Sequence, residues 1–455
     1  MDNTIQPVVA QLQTLLVELQ SHFQSQLPVA DVQETDDQLR DQLRECTAGW
    51  TRDDALCVLG NLGYLPMELT HHALGLIRHL HVTFQLTKED AKLEAVLRWS
   101  AANGHLDVLR YLKGALGVGK KDVQANINGP VRWSAQYGHL DVLRYLKETF
   151  GLGKEDAQAD DNYALRHSAA NGHLEVVRYL REAFGLTKED AQSYNAYALR
   201  CSAENGHLEV VRYLREGFGL GKEDAQAVNN CALRWSGALG HLGVVRYLRE
   251  AFGLGKEDAQ ADRNYALRHS AAYGRLEVVR YLREAFGLGK EDAQADDNYA
   301  LRCSAENGHL EVVRYLKEGF GLTKEDAQAD RNYALHRSAR RGRLGVVKYL
   351  VEGFGLGKEH PESPSNGAII FCILGGHLEV VRYLVDTLGL GEEDVRQIRT
   401  EHLWMQDKTT EKQLQVGKYL GEELGLCNPF VPRRVVLFEA LKAGLCGTQT
   451  PDVTQ

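Results

Sequence analysis

Cysteine pairing is missing from this 455-residue sequence. Its eight cysteines, Cys46, Cys57, Cys201, Cys231, Cys303, Cys372, Cys427 and Cys446, are scattered, with no C-x-x-C among them. That argues against a disulfide framework and a zinc site, and it fits a reducing compartment. Lys and Arg are missing before Arg40, while that stretch carries Asp2, Glu18, Asp31, Glu34, Asp36 and Asp37. It therefore reads neither as a basic signal peptide nor as an Arg-rich transit peptide. No apolar run reaches the ~20 residues that span a bilayer, so no membrane insertion is expected. A basic surplus is missing too. The formal net charge is −9, which argues against a polyanion as the main partner. The expected location is the cytoplasm, with the nucleus left open.

Proline is also scarce, nine residues against 44 glycines, and the glycines are periodic. One recurs at Gly104, Gly138, Gly172, Gly206, Gly240, Gly274, Gly308, Gly342 and Gly376, always 34 residues apart. A chain of this length is either several domains or a repeat array, and nine copies without slippage decide for the array. Below, this glycine is position zero of each repeat.

The repeat around Gly172 reads N-Y-A-L-R-H-S-A-A-N-G-H-L-E-V-V-R-Y-L-R-E-A-F-G-L-T-K-E-D-A-Q. Ala164, Leu165, Ser168 and Ala169 fall on one arc of a short first helix, which Gly172 ends as a C-cap. Leu174, Val177, Leu180 and Phe184 form the buried stripe of a second helix, widened by Val176 and Tyr179, and Gly185 stops it. Glu175, Arg178, Arg181 and Glu182 are expected to face water. Thr187 and Asp190 have the spacing of a capping box that opens one further turn. Neither helix can bury its apolar face alone, so neighbouring repeats must stack into a shared core. The predicted fold class is therefore all-α, a helical solenoid.

A 34-residue period also suits tetratricopeptide repeats, but their W-x2-L-G-x2-Y signature is absent. A-L-R-H-S-A-A-N-G-H-L-E-V-V-R-Y-L, from Ala164 to Leu180, instead resembles the ankyrin repeat, in the divergent form seen in protists and large viruses. The resemblance runs from about Leu93 to about Glu393. Two departures stand out. Tyr163-Ala164 replaces the family's Thr-Pro entry, and K-E-D-A-Q replaces its hairpin, so the hairpin segment reads as a helical turn.

The expected organisation has N-terminal amphipathic helices in residues 1–52, serving as a cap or as a partner helix. A degenerate first repeat occupies 53–93, and nine regular repeats fill 94–399. A degenerate last repeat follows in 400–427, then a capping helix and tail in 428–455. Within 1–52, Val8, Leu12, Leu15, Leu19 and Phe23 share one helical side. Val416–Leu420 echoes V-V-R-Y-L two residues out of register.

Nothing reads as catalytic: G-x-x-x-x-G-K-[ST], H-E-x-x-H and G-x-S-x-G are all absent. His105, His139, His173, His207, His241, His309 and His377 follow the glycine, and Arg275 and Arg343 take two of the places. Stacked helices ~8–10 Å apart cannot bring such histidines within ~2.1 Å of one zinc ion. They read as polar residues at the start of the second helix. The repeated Lys-Glu-Asp reads as a solvated helix start with its acids near the positive dipole end. Adjacent His71-His72 reads as surface. No enzyme, cofactor or metal is expected.

Positions −5, −2 and −1 of the first helix lie roughly opposite its Leu and Ala arc, and they vary while the core positions repeat almost verbatim. Position −5 holds Trp99, Trp133 and Trp235 among others, which are either core or aromatic anchors. The −2 and −1 registers match ankyrin positions that line a concave groove. The resemblance thus implies that Asn103, Gln136, Tyr137, Asn171, Glu204, Asn205, Leu239, Tyr273, Glu306, Asn307, Arg340 and Arg341 contact a partner. His336, Arg337, Arg340, Arg341, Arg343 and Lys348 make the eighth repeat basic, either as a solvated face or as a contact for an acidic partner, a phosphate or RNA. The expected function is a non-enzymatic scaffold that binds another protein, of unknown identity, through the concave face. The alternatives are an architectural subunit of a large assembly and a nucleic-acid-binding helical-repeat protein. The oligomeric state is not fixed by the sequence.

Overall fold

The structure is a computed structural model. It describes residues 41, 43–45, 47–60, 73–88, 93–357, 366–388 and 410–423. The helices expected in 4–23 and 433–443, the pair His71-His72 and the outer ends of the array lie outside these residues. All regular structure in the described residues is helical, without a strand, so the all-α expectation holds. The chain divides into two compact units, residues 1–232 with 250–253 and residues 233–249 with 254–455. Each is built from the same 34-residue repeat.

The third repeat shows how the sequence folds. Its first helix, Ala159–Ala170, buries Ala164, Leu165, Ser168 and Ala169 completely, the Ser168 hydroxyl donating to Leu165 O at 3.2 Å. Small residues on this arc let neighbouring first helices approach closely. Gly172 then turns left-handed at φ +81, with Gly172 N–H bonded to Ala169 O and His173 N–H to Ser168 O. This is the predicted glycine C-cap. The second helix, Leu174–Glu182, buries Val176, Val177 and Leu180, and Phe184 packs just beyond it. Leu174, expected in the stripe, is only half-buried. Arg181 is half-buried rather than solvated because its guanidinium lies over the Phe218 ring at 5.9 Å.

K-E-D-A forms one helical turn, Lys188–Ala191, capped by Thr187 through its N–H and hydroxyl to the Asp190 carboxylate at 2.8 and 3.1 Å. Here one expectation fails. Asp190 is 5% exposed, not solvated. Its second oxygen accepts from Gln158 Nε2 of the preceding repeat at 2.6 Å, and Lys154 Nζ of that repeat lies 3.2 Å away. Burial opposes the charge, but these donors outweigh it and hold the carboxyl below its ordinary value. The same carboxylate–glutamine link recurs as Gln124–Asp156, Gln192–Asp224, Gln260–Asp292 and Gln294–Asp326. The motif is therefore a joint between repeats, worth about 1.5–3 kcal/mol for a charged hydrogen bond.

The second helices are joined differently. Arg144 lies over the Tyr179 ring of the next repeat at 5.6 Å and Lys147 over Phe184 at 4.9 Å. Equivalent pairs such as Arg280–Tyr315 and Arg283–Phe320 follow the same register. At the C-terminal end Arg382 covers Tyr419 at 4.6 Å, and Gln413 Nε2 donates to Leu374 O at 2.7 Å. That carbonyl is the kind the conserved histidine meets elsewhere, so Glu411–Lys418 docks as a second helix shifted by two residues.

Where the K-E-D-A turn leads into the first helix, inside the span Ala159–Ala170, the backbone does something the periodicity does not announce. Asp160, Asp161 and Asn162 are all left-handed, at φ 57, 52 and 62. Runs of this kind cost roughly 1–2 kcal/mol per residue for side chains other than glycine. Arg166, at position −6, offsets the cost by donating to Asp161 O and Asp160 O at 2.8 and 2.9 Å. Arg132 and Arg268 grip their own left-handed turns in the same way.

Candidate partner-binding surface

The residues at positions −9, −5, −2 and −1 share the side of the first helix opposite the Ala and Leu arc. Position −5 is half-buried in every repeat but the first, where it is buried. Trp133 and Trp235 are half-buried, but Trp99 is 9% exposed and stacks on His105 at 4.7 Å, so its ring serves the core. Tyrosines at position −9, which sequence reasoning passed over, continue the rings from repeat to repeat. Tyr163 stacks on His167 at 3.9 Å, and His167 meets Tyr197 at 5.7 Å. In the second compact unit Trp235 meets Tyr265 at 5.3 Å, Tyr265 stacks on His269 at 4.0 Å, and His269 meets Tyr299 at 5.2 Å. Burial, with Arg166 and Arg268 beside them, holds His167 and His269 below the ordinary histidine range. Tyr299 is pushed up to about 12, chiefly by burial. These rings are uncharged at neutral pH and form a preordered aromatic strip within each unit.

On each strip stands one exposed tyrosine. Tyr137 is 48% exposed and stacks on Trp133 at 5.9 Å; Tyr273 is 45% exposed and rests against His269 at 5.9 Å. The asparagines at the same position are exposed as well, but their amides are bound to backbone. Asn171, Asn205 and Asn307 donate to Gln136 O, Ala170 O and Ala272 O of the preceding repeat at 2.8–2.9 Å, and Asn103 donates to Trp99 O of its own helix. Gln136 accepts from the Tyr163 hydroxyl at 2.6 Å. Glu306 is held between the Tyr333 hydroxyl and Arg341, at 3.1 and 3.3 Å. Glu204 and Leu239 are half-buried, and Arg340 is exposed.

The histidines after the glycine do more than open a helix. His139 donates through Nε2 to Ala102 O at 2.9 Å, and His173, His309 and His377 meet Gln136, Ala272 and Arg340 in the same way. Gln136 O and Ala272 O thus each serve both a histidine and an asparagine of the next repeat. Among the described residues no cluster of histidine, cysteine and acidic side chains could hold a metal.

The basic eighth repeat is largely committed to its neighbours. Burial pushes His336 down to about 4, so it carries no charge at neutral pH. Arg337 lies over the Tyr333 ring at 5.0 Å, Arg341 pairs with Glu306, Arg343 packs against Gly308, and Lys348 lies over Tyr383 at 5.4 Å.

A family profile described as ankyrin repeats (3 copies) matches residues 97–192, 131–224, 286–357 and 301–397, together more than half of the chain. The chain belongs to the ankyrin-repeat family. Ankyrin repeats are generally protein-interaction modules. Among solved structures, the ankyrin-repeat chain is similar to the crystal structure of an ankyrin repeat family protein from Legionella pneumophila. That likeness has 20% identity and a TM-score of 0.32, and it covers 69% of this chain and 85% of that one. A search of curated proteins finds no match. No helix of the described ankyrin-repeat residues is long and apolar enough to cross a membrane.

Proposed function

We propose that this ankyrin-repeat protein is a non-enzymatic scaffold that binds another protein through the face bearing positions −5, −2 and −1, the concave face in ankyrin arrays. The observation that carries this reading is the pair of exposed tyrosines, Tyr137 and Tyr273, each resting on a half-buried ring of its own helix. Aromatic side chains already ordered before binding lose little entropy on contact and are favoured interface anchors. Gln136, Glu204, Leu239, Glu306, Arg340 and Arg341 lie in the flanking −2 and −1 registers. Asn103, Asn171, Asn205 and Asn307 fit this face through their outer surfaces, since their amides bind backbone. Trp133 and Trp235 support the anchors from below. The engaged arginines of the eighth repeat favour a protein partner over RNA. The free thiols of Cys57, Cys201, Cys231, Cys303 and Cys372 fit a cytoplasmic setting.

Affinity capture from native lysate with the intact chain, against a bait carrying Tyr137→Ala and Tyr273→Ala, tests the reading. A specific partner lost or strongly reduced on the double variant is the expected result. A full complement of partners retained by that variant contradicts it.

A further inference from the structure

The arginine at position −6 has a second role besides gripping its own left-handed turn. In four repeats its Nη1 reaches the first residue of the next left-handed turn, 28 residues on. Arg132–Asp160, Arg234–Asp262, Arg268–Asp296 and Arg302–Asp330 pair at 2.5–2.8 Å. The arginine side chains are 9–16% exposed, whereas the aspartates are 37–51% exposed. The anion of each pair therefore sits at the surface, over a nearly buried cation.

Three repeats lack that anion. At Arg98, itself exposed, the corresponding residue is Asn126; at the adjacent pair Arg166 and Arg200 it is Tyr194 and Val228, both exposed, at 58% and 48%. Arg200 still grips its own turn through Asn195 O and Tyr194 O, at 2.8 and 2.9 Å. Its Nη1, which would hold a carboxylate, meets Cys231 Sγ at 3.8 Å, and its guanidinium lies over the Tyr197 ring at 5.7 Å. Arg166 is 9% exposed and lies among the rings of Tyr163, Tyr194 and Tyr197, the nearest centroid being Tyr194 at 4.4 Å. Arg166 is thus a buried cation, and Arg200 a half-buried one, with no carboxylate partner among the described residues, and such burial is costly.

The backbone adds an independent observation. Val228 sits at φ 53, a region where β-branched residues are strained and aspartate is tolerated. Asp160, Asp262, Asp296 and Asp330 occupy the same position at φ 51–58. Aspartate at 228 would relieve strain and complete an ion pair together. A site where both gains are forgone is one where function sets the residue.

We propose that Arg166 and Arg200 form a two-point anion site for the partner protein, taking two carboxylate side chains of an acidic, extended peptide segment. Those carboxylates occupy the places that aspartates fill at the four paired junctions, and the exposed Tyr194 and Val228 flank the bound chain. First helices of adjacent repeats lie ~8–10 Å apart, which is about three residues of extended chain at ~3.3 Å each. The preferred segment thus carries acids at i and i+3. This inference rests on the chain being a protein-binding scaffold, but it uses residues other than the exposed Tyr137 and Tyr273.

The test is a fluorescence-anisotropy titration of the full chain with a labelled ten-residue peptide carrying two glutamates three positions apart. The expected result is saturable binding that weakens with salt and is lost when both glutamates are glutamine. Tyr194→Asp with Val228→Asp fills the site with the chain's own carboxylates, so binding should fall at least tenfold while the melting temperature holds or rises. Val228→Asp alone should cost a smaller part of the affinity, and it serves if the double variant misfolds. Arg178→Gln with Arg212→Gln, on the exposed side of two adjacent second helices, changes the net charge equally and should leave binding intact. No binding to the natural chain, unchanged binding to the aspartate variants, or equal loss in the Arg178 and Arg212 variant would each overturn the proposal. Those failures would leave the Tyr137 and Tyr273 capture result standing, so the two readings fail separately.

Discussion

His139 lies across the junction from Gly104, and its ring fills the space that a side chain at Gly104 would need. A β-carbon there would come within 2.7 Å of His139 Nδ1, while Nε2 of the same ring holds Ala102 O at 2.9 Å. The glycine that sets the 34-residue period is therefore required twice, for its left-handed φ of +76 and for its neighbour's ring. The same arrangement joins Gly138 to His173, and Gly240 to Arg275.

Glycine substitutions separate these two requirements. Gly172→Ala meets both the left-handed backbone and the His207 ring at 2.5 Å, whereas Gly185→Ala, at φ +76, has nothing within 4 Å. The second should cost about 1–2 kcal/mol from backbone strain alone. The first should cost about 1–3 kcal/mol more from overpacking. Urea unfolding followed by circular dichroism compares them, and equal losses would contradict the packing argument.

The K-E-D joint predicts a contrast between adjacent acids. Asp190→Ala removes a carboxylate that accepts from Thr187, Gln158 and Lys154, so it should destabilise the fold by about 2–3 kcal/mol. Glu189→Ala, at the exposed neighbouring position, should leave the unfolding midpoint unchanged.

These cases show what the sequence made legible. The two helices follow from the arc of Ala164, Leu165, Ser168 and Ala169, from the second-helix valines and leucines, and from the glycines between them, because burial periodicity is a local property. Contacts between repeats are not local. Asp190 looks like an ordinary helix start until Gln158 and Lys154 arrive from 32 and 36 residues earlier. Asn171 looks like an unengaged surface residue until its amide finds Gln136 O. Tyr163, constant in most repeats, was passed over in favour of varying positions. The left-handed turn was hidden because its first residues differ, as in Asp160-Asp161, Tyr194-Asn195 and Val228-Asn229. Two signals were nevertheless available: an Asn recurring at position −10, and an Arg followed by an Asp 28 residues on.

Acid should weaken the fold in two steps. His173, His309, His336 and His377 are held below the ordinary histidine range by burial, His336 down to about 4. The unfolded chain thus binds more protons than the folded one between about pH 6.5 and 4, and stability falls as pH drops through that window. Asp122, Asp190 and Asp326 are lowered by their donors against the opposing effect of burial. Their contribution is present above the ordinary aspartate value and is lost as pH falls further. Denaturation midpoints between pH 7 and 3 check this, and His336→Gln should remove up to about 1.4 kcal/mol per pH unit from the slope of the upper window.

The grip of position −6 on the left-handed turn is open to the same kind of measurement. Arg268→Gln loses bonds to Arg263 O, Asp262 O and the Asp296 carboxylate. It should destabilise by about 1–3 kcal/mol, since the nearly buried guanidinium supplies all three bonds to the left-handed turns. Arg178→Gln, on the exposed side of the second helix, should cost less than about 1 kcal/mol for its surface ion pair and ring contact.

The most direct test of the central claim is site-specific photo-crosslinking in native lysate. A benzophenone amino acid is placed at Tyr137 on the aromatic strip or at Glu175 on the solvated side of a second helix. The account predicts a discrete crosslinked partner from position 137 and none from position 175. A partner captured only from position 175, or none from position 137, would contradict a binding face on the first helices.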